Sequence, residues 1–294
     1  MKSISLLLMS YKGLYTLTQL CEAGYAPLID KVIFARDRGV QKDYVKEMQA
    51  CCMAYQIPCY YRVEQVQINS PFALAISWRW LLNLSQTKLI VLHDSLLPKY
   101  RGFAPLVSQL INQEKEIGLT AIFASEKGYD QGPIISQWKK EISFPIKIQE
   151  CIEILAKGYA ELSINIFREI ASGSSLTSYP QEETAATYSL WRDEADYCIN
   201  WNQSAEDILR FINALGFPYA GASTSLEREK VRIWEAEIYP DEEIVNRDCG
   251  KVIFVKEGFP IIVCARGLLM IKAASFDKNG KSLFPLKKFR LRFR

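Results

Sequence analysis

The sequence predicts an α/β protein: a mostly parallel sheet domain followed by a small β-barrel domain. Two observations carry this reading. Through residues 1–172, short apolar runs alternate with longer segments of helical period, the pattern of a parallel sheet covered on both faces. After a Ser- and Gly-rich break at 172–180, the chain turns to short strand-like runs separated by turns, as in a small barrel. The expected division is a first domain over 1–172, a linker over 173–200 and a second domain over 201–294 that opens on a helix.

Taken in order, residues 4–9 read as a buried strand and Ser10-Tyr11-Lys12-Gly13 as the turn after it. Residues 14–22 carry a helical apolar pattern that stops at Gly24. Residues 31–35 form a second strand. A helix follows over 43–55, with Asp43 as cap and Val45, Met48 and Met53 on one side. Residues 59–63 are a third strand, and the apolar run 72–76 is read as helical into Ser77. Residues 88–92 are the strand that ends at His93. A helix over 104–112, strands over 119–125 and 133–142, and a long helix over 146–170 complete the first domain. Right-handed crossovers place the loops after the strands on one edge, where ligands of such sheets bind. In the second domain Ser204 caps a helix reaching Leu215, and strands are expected over 230–238, 251–256, 259–265 and 267–273.

Composition narrows the classes. Apolar residues at 49% and charged residues at 23% suit a folded core. Lys and Arg total 36 against 33 acidic residues, a net charge of +3, which argues against a dedicated nucleic-acid binder. The basic tail at 287–294 reads as a solvated end or a final strand with one charged face, with a phosphate-binding tail as the sharper alternative. None of the eight cysteines has C-x-x-C spacing, and with one histidine a zinc site is not expected. We read them as reduced, mostly buried thiols of a cytoplasmic protein. No apolar run approaches the roughly 20 residues that span a bilayer, and the amino terminus fits a core strand better than a signal peptide.

Two positions stand out chemically. His93 is the only histidine, delivered by an apolar strand into a polar, Pro- and Gly-rich loop. Imidazole is the side chain suited to proton transfer near neutral pH. Asp130 sits in Gly128-Tyr129-Asp130-Gln131-Gly132, a tight turn that carries one carboxylate. No G-x-G-x-x-G follows the first strand, and Gly280-Lys281-Ser282 lacks the first glycine of a phosphate loop.

The stretch His93-Asp94-Ser95-Leu96-Leu97-Pro98-Lys99-Tyr100-Arg101-Gly102 resembles the signature of the folate-dependent formyltransferases. Tyr129-Asp130-Gln131-Gly132-Pro133 resembles the family's second motif, at a typical distance from the histidine. The resemblance continues through Ala186-Thr187-Tyr188-Ser189, Ile199-Asn200-Trp201 and Phe217-Pro218-Tyr219-Ala220-Gly221-Ala222, so it covers most of the chain. It implies a Rossmann-like catalytic domain followed by an OB-like barrel. The implied activity moves the formyl group of 10-formyltetrahydrofolate to an amine without a metal. His93 and Asp130 are then the catalytic pair. Arg79, Trp80, Leu81 and Leu82, with Lys127, Gly128 and Tyr129, are the expected folate contacts. Ser95, Tyr100 and Arg101 support the loop or meet substrate; Arg101 can tie the loop to carbonyls or a carboxylate, with a substrate phosphate contact as the sharper alternative.

One departure matters. Most relatives carry Asn two residues before the histidine, and this chain has Val91, which offers no donor. A backbone N–H, Asn83 or Ser95 can replace it, the enzyme can work more slowly, or the chain can bind folate or nucleotide without catalysis. The initiator-tRNA enzymes have a Gly-Thr-Pro loop after the first strand and a long basic insert after the second. Here Ser10-Tyr11-Lys12-Gly13 and the short Ala35–Lys42 segment stand in their place. The expected partner is therefore a small amine, a nucleotide-linked amino sugar, with methionyl-tRNA as the alternative. The sequence leaves the oligomeric state open; a dimer is compatible with it.

Overall fold

The computed structural model describes residues 3–37, 39–80, 82, 84, 86–126, 128–286 and 288–294. The chain divides into two compact units. One comprises Met1–Leu106, Lys115–Ile142 and Glu150–Leu190; the other comprises Val107–Glu114, Ser143–Gln149 and Trp191–Arg294.

The chain runs β1 (Ile4–Leu8), α1 (Ser10–Glu22), β2 (Ile29–Phe34), α2 (Val45–Ala54), β3 (Cys59–Tyr61), β4 (Phe72–Ile76), β5 (Lys88–His93), β6 (Arg101–Gly102), α3 (Pro105–Ile111), β7 (Glu116–Phe123), β8 (Ile134–Glu141), α4 (Ile148–Ala171) and β9 (Tyr188–Ser189). A seven-stranded sheet of order β3-β2-β1-β4-β5-β7-β8 forms the first unit. From β3 to β5 the strands run parallel, and β7 and β8 add an antiparallel hairpin at one side. The sheet is thus mixed, with the parallel part in the majority. Strand order reverses between β1 and β4, and at such a switch point the carboxyl-edge loops part to leave a crevice. There Met9 N–H donates to Ile76 O at 3.2 Å and Ser10 Oγ to Ser77 Oγ at 3.1 Å.

The central strands are near-continuous apolar runs because both faces are covered. β1 is buried throughout, and α4 buries Leu155, Tyr159, Ile166, Phe167 and Ile170, a helical stripe. The run at 72–76 is strand β4, not a helix. Five apolar residues are too few for periodicity to decide, and a place between two buried strands decides it instead. Ser10-Tyr11-Lys12-Gly13 is the first turn of α1 rather than a separate turn. Met53 is 72% exposed; Cys52 takes the buried side of α2 with Val45 and Met48.

The second unit continues with α5 (Ala205–Leu215), β10 (Ala222–Leu226), β11 (Glu229–Tyr239), β12 (Val252–Lys256), β13 (Phe259–Val263) and β14 (Leu268–Phe276). Its antiparallel sheet has the order β10-β11-β14-β13-β12. Among the described residues no direct pairing of β10 with β12 closes this sheet into the expected barrel. The carboxyl tail meets both edges instead, through bridges of Phe293 to Leu226 and of Arg292 to Lys251. Phe293 is buried against the Trp201 ring, so the basic tail has an apolar anchor. Ser204 caps α5, its Oγ accepting from Asp207 N at 3.1 Å. Strand β10, Ala-Ser-Thr-Ser-Leu, has too little apolar patterning to announce itself.

Among the described residues no helix is long and apolar enough to cross a membrane, and no group of three or more His, Cys, Asp or Glu is placed to hold a metal ion. All eight cysteines are free thiols; Cys21, Cys52, Cys151 and Cys264 are buried and Cys198 is exposed.

Candidate active site

β5 ends at His93, whose backbone pairs with Thr120 of β7. The imidazole is buried, with Nε2 at 2.8 Å from the Tyr100 carbonyl and Nδ1 at 3.4 Å from Asp130 Oδ2. Both ring nitrogens face oxygen acceptors, an arrangement that the doubly protonated ring satisfies fully. Gly102 N–H donates to the same Asp130 oxygen at 2.9 Å. The two motifs, far apart in the chain, therefore converge on one carboxylate.

Backbone geometry makes this convergence possible. Tyr100 and Asp130 hold positive φ, 60° and 56°. A Cβ on Gly132 would lie 1.6 Å from Phe123 O, so only glycine allows the turn to close on β7. Gly102 has φ of 100°, and a Cβ there would stand 2.6 Å from Ser189 O, where β6 pairs with β9. Thr120 knits the loop from below. Its Oγ1 donates to Ser95 O at 2.7 Å and accepts from Leu97 N at 2.9 Å.

The supporting residues take definite places. Ser95 Oγ donates to Lys99 O at 2.6 Å, so its hydroxyl closes the loop. Tyr100 contributes its carbonyl to His93, and its N–H donates to Thr187 Oγ1 at 2.9 Å. Arg101 is fully buried. Its Nε and Nη2 bond Gln181 Oε1 at 3.0 and 2.8 Å, Nη1 and Nη2 bond the Glu183 carboxylate at 2.8 and 2.9 Å, and Nη1 lies 3.4 Å from the Tyr188 hydroxyl. All five N–H donors are occupied, which leaves none for a substrate phosphate. The Glu183 hydrogen bonds hold its guanidinium above the usual arginine range.

The expected folate contacts lie on the loops after β4 and β7. Arg79 pairs with Asp37, whose Oδ1 also accepts from Gly39 N at 2.8 Å; the loops after β2 and β4 are thereby tied together. Trp80 carries the Arg62 guanidinium 4.1 Å over its ring and meets Trp78 edge-on at 5.2 Å. Leu82 packs with Trp78 and Leu84 on the Leu7, Ile33, Ala73 and Ala75 cluster. Gly128 has φ of 157°, and Tyr129, half exposed, contacts the Phe103 ring at 5.4 Å. Leu81, Lys127 and Asn83 fall outside the described residues. Val91 packs both on that cluster and on Leu97, Ile122 and Ile134, an apolar seat beside the His93 loop. The arrangement offers an imidazole and carboxylate next to an apolar wall, which suits proton transfer beside a flat, largely apolar ligand.

Sequence reasoning missed Gln181 and Glu183, which hold Arg101, and Lys12, Asp94 and Tyr159 beneath the histidine. Only Asp94 carried a local signal, as a charge placed next to the lone histidine.

Comparison with known proteins bears on the family and the fold. A family model described as "Formyl transferase" matches residues 65–164, and one described as "Formyl transferase, C-terminal domain" matches residues 192–289. The methionyl-tRNA formyltransferase of Carboxydothermus hydrogenoformans is 36% identical over 207 residues, 70% of this chain and 65% of that protein. The Acetivibrio thermocellus enzyme of the same name is 32% identical over 189 residues, 64% of this chain and 60% of that protein. The matches thus span less than two thirds of these relatives. A crystal structure of a Helicobacter canadensis N-formyltransferase, complexed with folinic acid and dTDP-3-aminofucose, superposes with a TM-score of 0.68 over 92% of this chain and 99% of that one, at 17% identity. With two family models that together match more than half of its residues, the chain belongs to the formyltransferase superfamily.

Proposed function

We propose that this protein transfers the formyl group of 10-formyltetrahydrofolate to an amine. The observation that carries the reading is the pairing of buried His93 with the partly buried Asp130, with Gly102 N–H fixing the carboxylate. The folate supplies the formyl carbon. The chain supplies hydrogen-bonding and proton-relay groups. As the amine adds, charge develops on the formyl oxygen, and His93 donates to it by turning a ring N–H away from its protein acceptor, the 3.4 Å contact of Nδ1 with Asp130 being the longer of the two. The amine loses a proton and the departing nitrogen gains one. Asp130 and His93 together can relay that proton with no net change. Trp80, Leu82 and the 128–129 backbone would form the wall for the folate ring system, and Arg79 would meet its acidic tail only by sharing its guanidinium with Asp37.

For the acceptor, the sequence relatives favour methionyl-tRNA, since both enzymes compared above carry that name. A nucleotide-linked amino sugar is the second reading. It is favoured by the net charge of +3, and by Asp37 neutralising Arg79 where a polyanion would need free cations. A third outcome, folate or nucleotide binding without turnover, follows if Val91 disables the site.

The test is a parallel assay with 10-formyltetrahydrofolate, aminoacylated initiator tRNA and a panel of nucleotide amino sugars. Formylated methionyl-tRNA is expected, with His93→Asn slower by about 10²–10³. Turnover of amino sugars alone would shift the acceptor to the second reading. Equal rates in parent and variant would remove His93 from the chemistry. Folate binding without product would make the chain a binding homologue.

A further inference from the structure

Beneath His93 lies a buried charged cluster for which the proposed reaction has no direct use. Lys12, in the first turn of α1, pairs through Nζ with Asp94 Oδ2, and both side chains are largely buried. The Tyr159 hydroxyl, from α4, lies 2.6 Å from Asp94 Oδ1 and 3.2 Å from Leu92 O. Lys12 Nζ also stands 5.3 Å from the Tyr159 ring centroid. Tyr159 therefore grips the chain on both sides of His93, at the residue before it and the residue after it. Asp94 is the first residue beyond the end of β5. His93 meets Asp130, while Asp94 meets Lys12 and Tyr159.

We propose that Lys12, Asp94 and Tyr159 are positioning residues that hold His93 from behind and keep a balanced charge pair against it. Burial pushes the Asp94 carboxyl up, but the charge and hydrogen bond of Lys12 and the Tyr159 hydroxyl outweigh it and hold the group below the usual carboxylate range. The carboxylate is thus a fixed negative charge next to the imidazole, and Lys12 is its counterweight. Among the described residues, the charged and titratable groups around His93 include Asp130 from the turn between β7 and β8, Asp94 just past its own strand, Lys12 from α1 and Tyr159 from α4. Losing either member of the buried pair leaves the other uncompensated, with opposite sign in the two cases.

The sole histidine gives a direct readout, because its ring resonances report His93 alone. The experiment follows those resonances through a pH titration in the parent, Asp94→Asn, Lys12→Met and the double variant. Asp94→Asn is expected to move the titration midpoint down and Lys12→Met to move it up, each by about 0.5–1 pH unit. The double variant is expected to return close to the parent. Formyl transfer, which rests on the function proposed above, is expected to lose about 10-fold in kcat with little change in KM in each single variant, and to recover partly in the double. Tyr159→Phe, which retains the ring and both charges, is expected to displace the resonances and slow turnover about 3–10-fold. Folded single variants whose midpoints stay put, or move the same way, would overturn the proposal, as would unchanged resonances in Tyr159→Phe. If no acceptor is formylated at all, the proposed reaction fails while the resonance titration still decides the network.

Discussion

At the residue scale, Val91 is the position where physical chemistry and family pattern pull apart. It lies on the same strand as His93 and two residues before it, so both side chains leave one face of β5. It packs on the apolar cluster of Leu97, Ile122 and Ile134 and on that of Leu7, Ile33, Ala73 and Ala75. An amide placed there enters an apolar setting and adds a donor that a ligand can accept. Val91→Asn is therefore expected to lose about 1–2 kcal/mol of stability, read from the urea midpoint. It is also expected to turn over about 10-fold faster, because it adds a donor beside the developing charge. A variant no faster than the parent would mean that a donor elsewhere in the loop already serves. Ser95 is not that donor in the geometry seen here, since its hydroxyl is committed to Lys99 O.

At the element scale, the short pairing of β6 with β9 binds the His93 loop to the segment after α4, and Arg101 is its rivet. The side chain is wholly buried while Glu183 is 68% exposed, so the fork reaches outward to partners about eighty residues further on. Arg101→Lys retains the charge but not the planar fork, and the buried ammonium cannot replace five directed bonds. A loss of about 2–4 kcal/mol in urea unfolding is expected, with faster proteolysis within 179–190. Unchanged proteolysis would show that the backbone bonds of Arg101, Phe103 and Tyr179 hold the segment unaided. This element also marks the limit of what the sequence made legible. The alternation of strands and helices, the end of β5 at His93 and the Ser204 cap could all be read, because each rests on neighbours in the chain. The Arg101–Glu183 and Lys12–Asp94 pairs join residues about eighty apart, and spacing alone carries no trace of them. A short apolar run such as β4 looks alike as strand or helix, and the small, polar residues of β10 give no alternation to read.

At the scale of the whole molecule, 36 basic and 33 acidic side chains nearly cancel, so stability near neutral pH depends on which carboxylates are specially held. Asp94 is one. Glu194 is another: burial pushes it up, yet hydrogen bonds from Arg232 and Lys230 hold it below the usual range. Asp207 is a third, lowered first by the Ser204 hydroxyl. A carboxyl whose folded value lies below its unfolded value stabilises the fold above the unfolded value, and that contribution disappears as pH falls through the folded one. With unfolded carboxylates titrating near pH 4, unfolding free energy is expected to be flat between about pH 7 and 5 and to fall below about pH 4. The double variant Lys12→Met with Asp94→Asn removes both a titrating group and its partner. It is expected to show a shallower decline in acid than the parent, with the two curves converging as pH drops. Urea midpoints measured between pH 7 and pH 3 check this directly. Curves that stay parallel would show that Asp94 binds its proton alike in the folded and unfolded chain, and that acid lability arises from the other carboxylates.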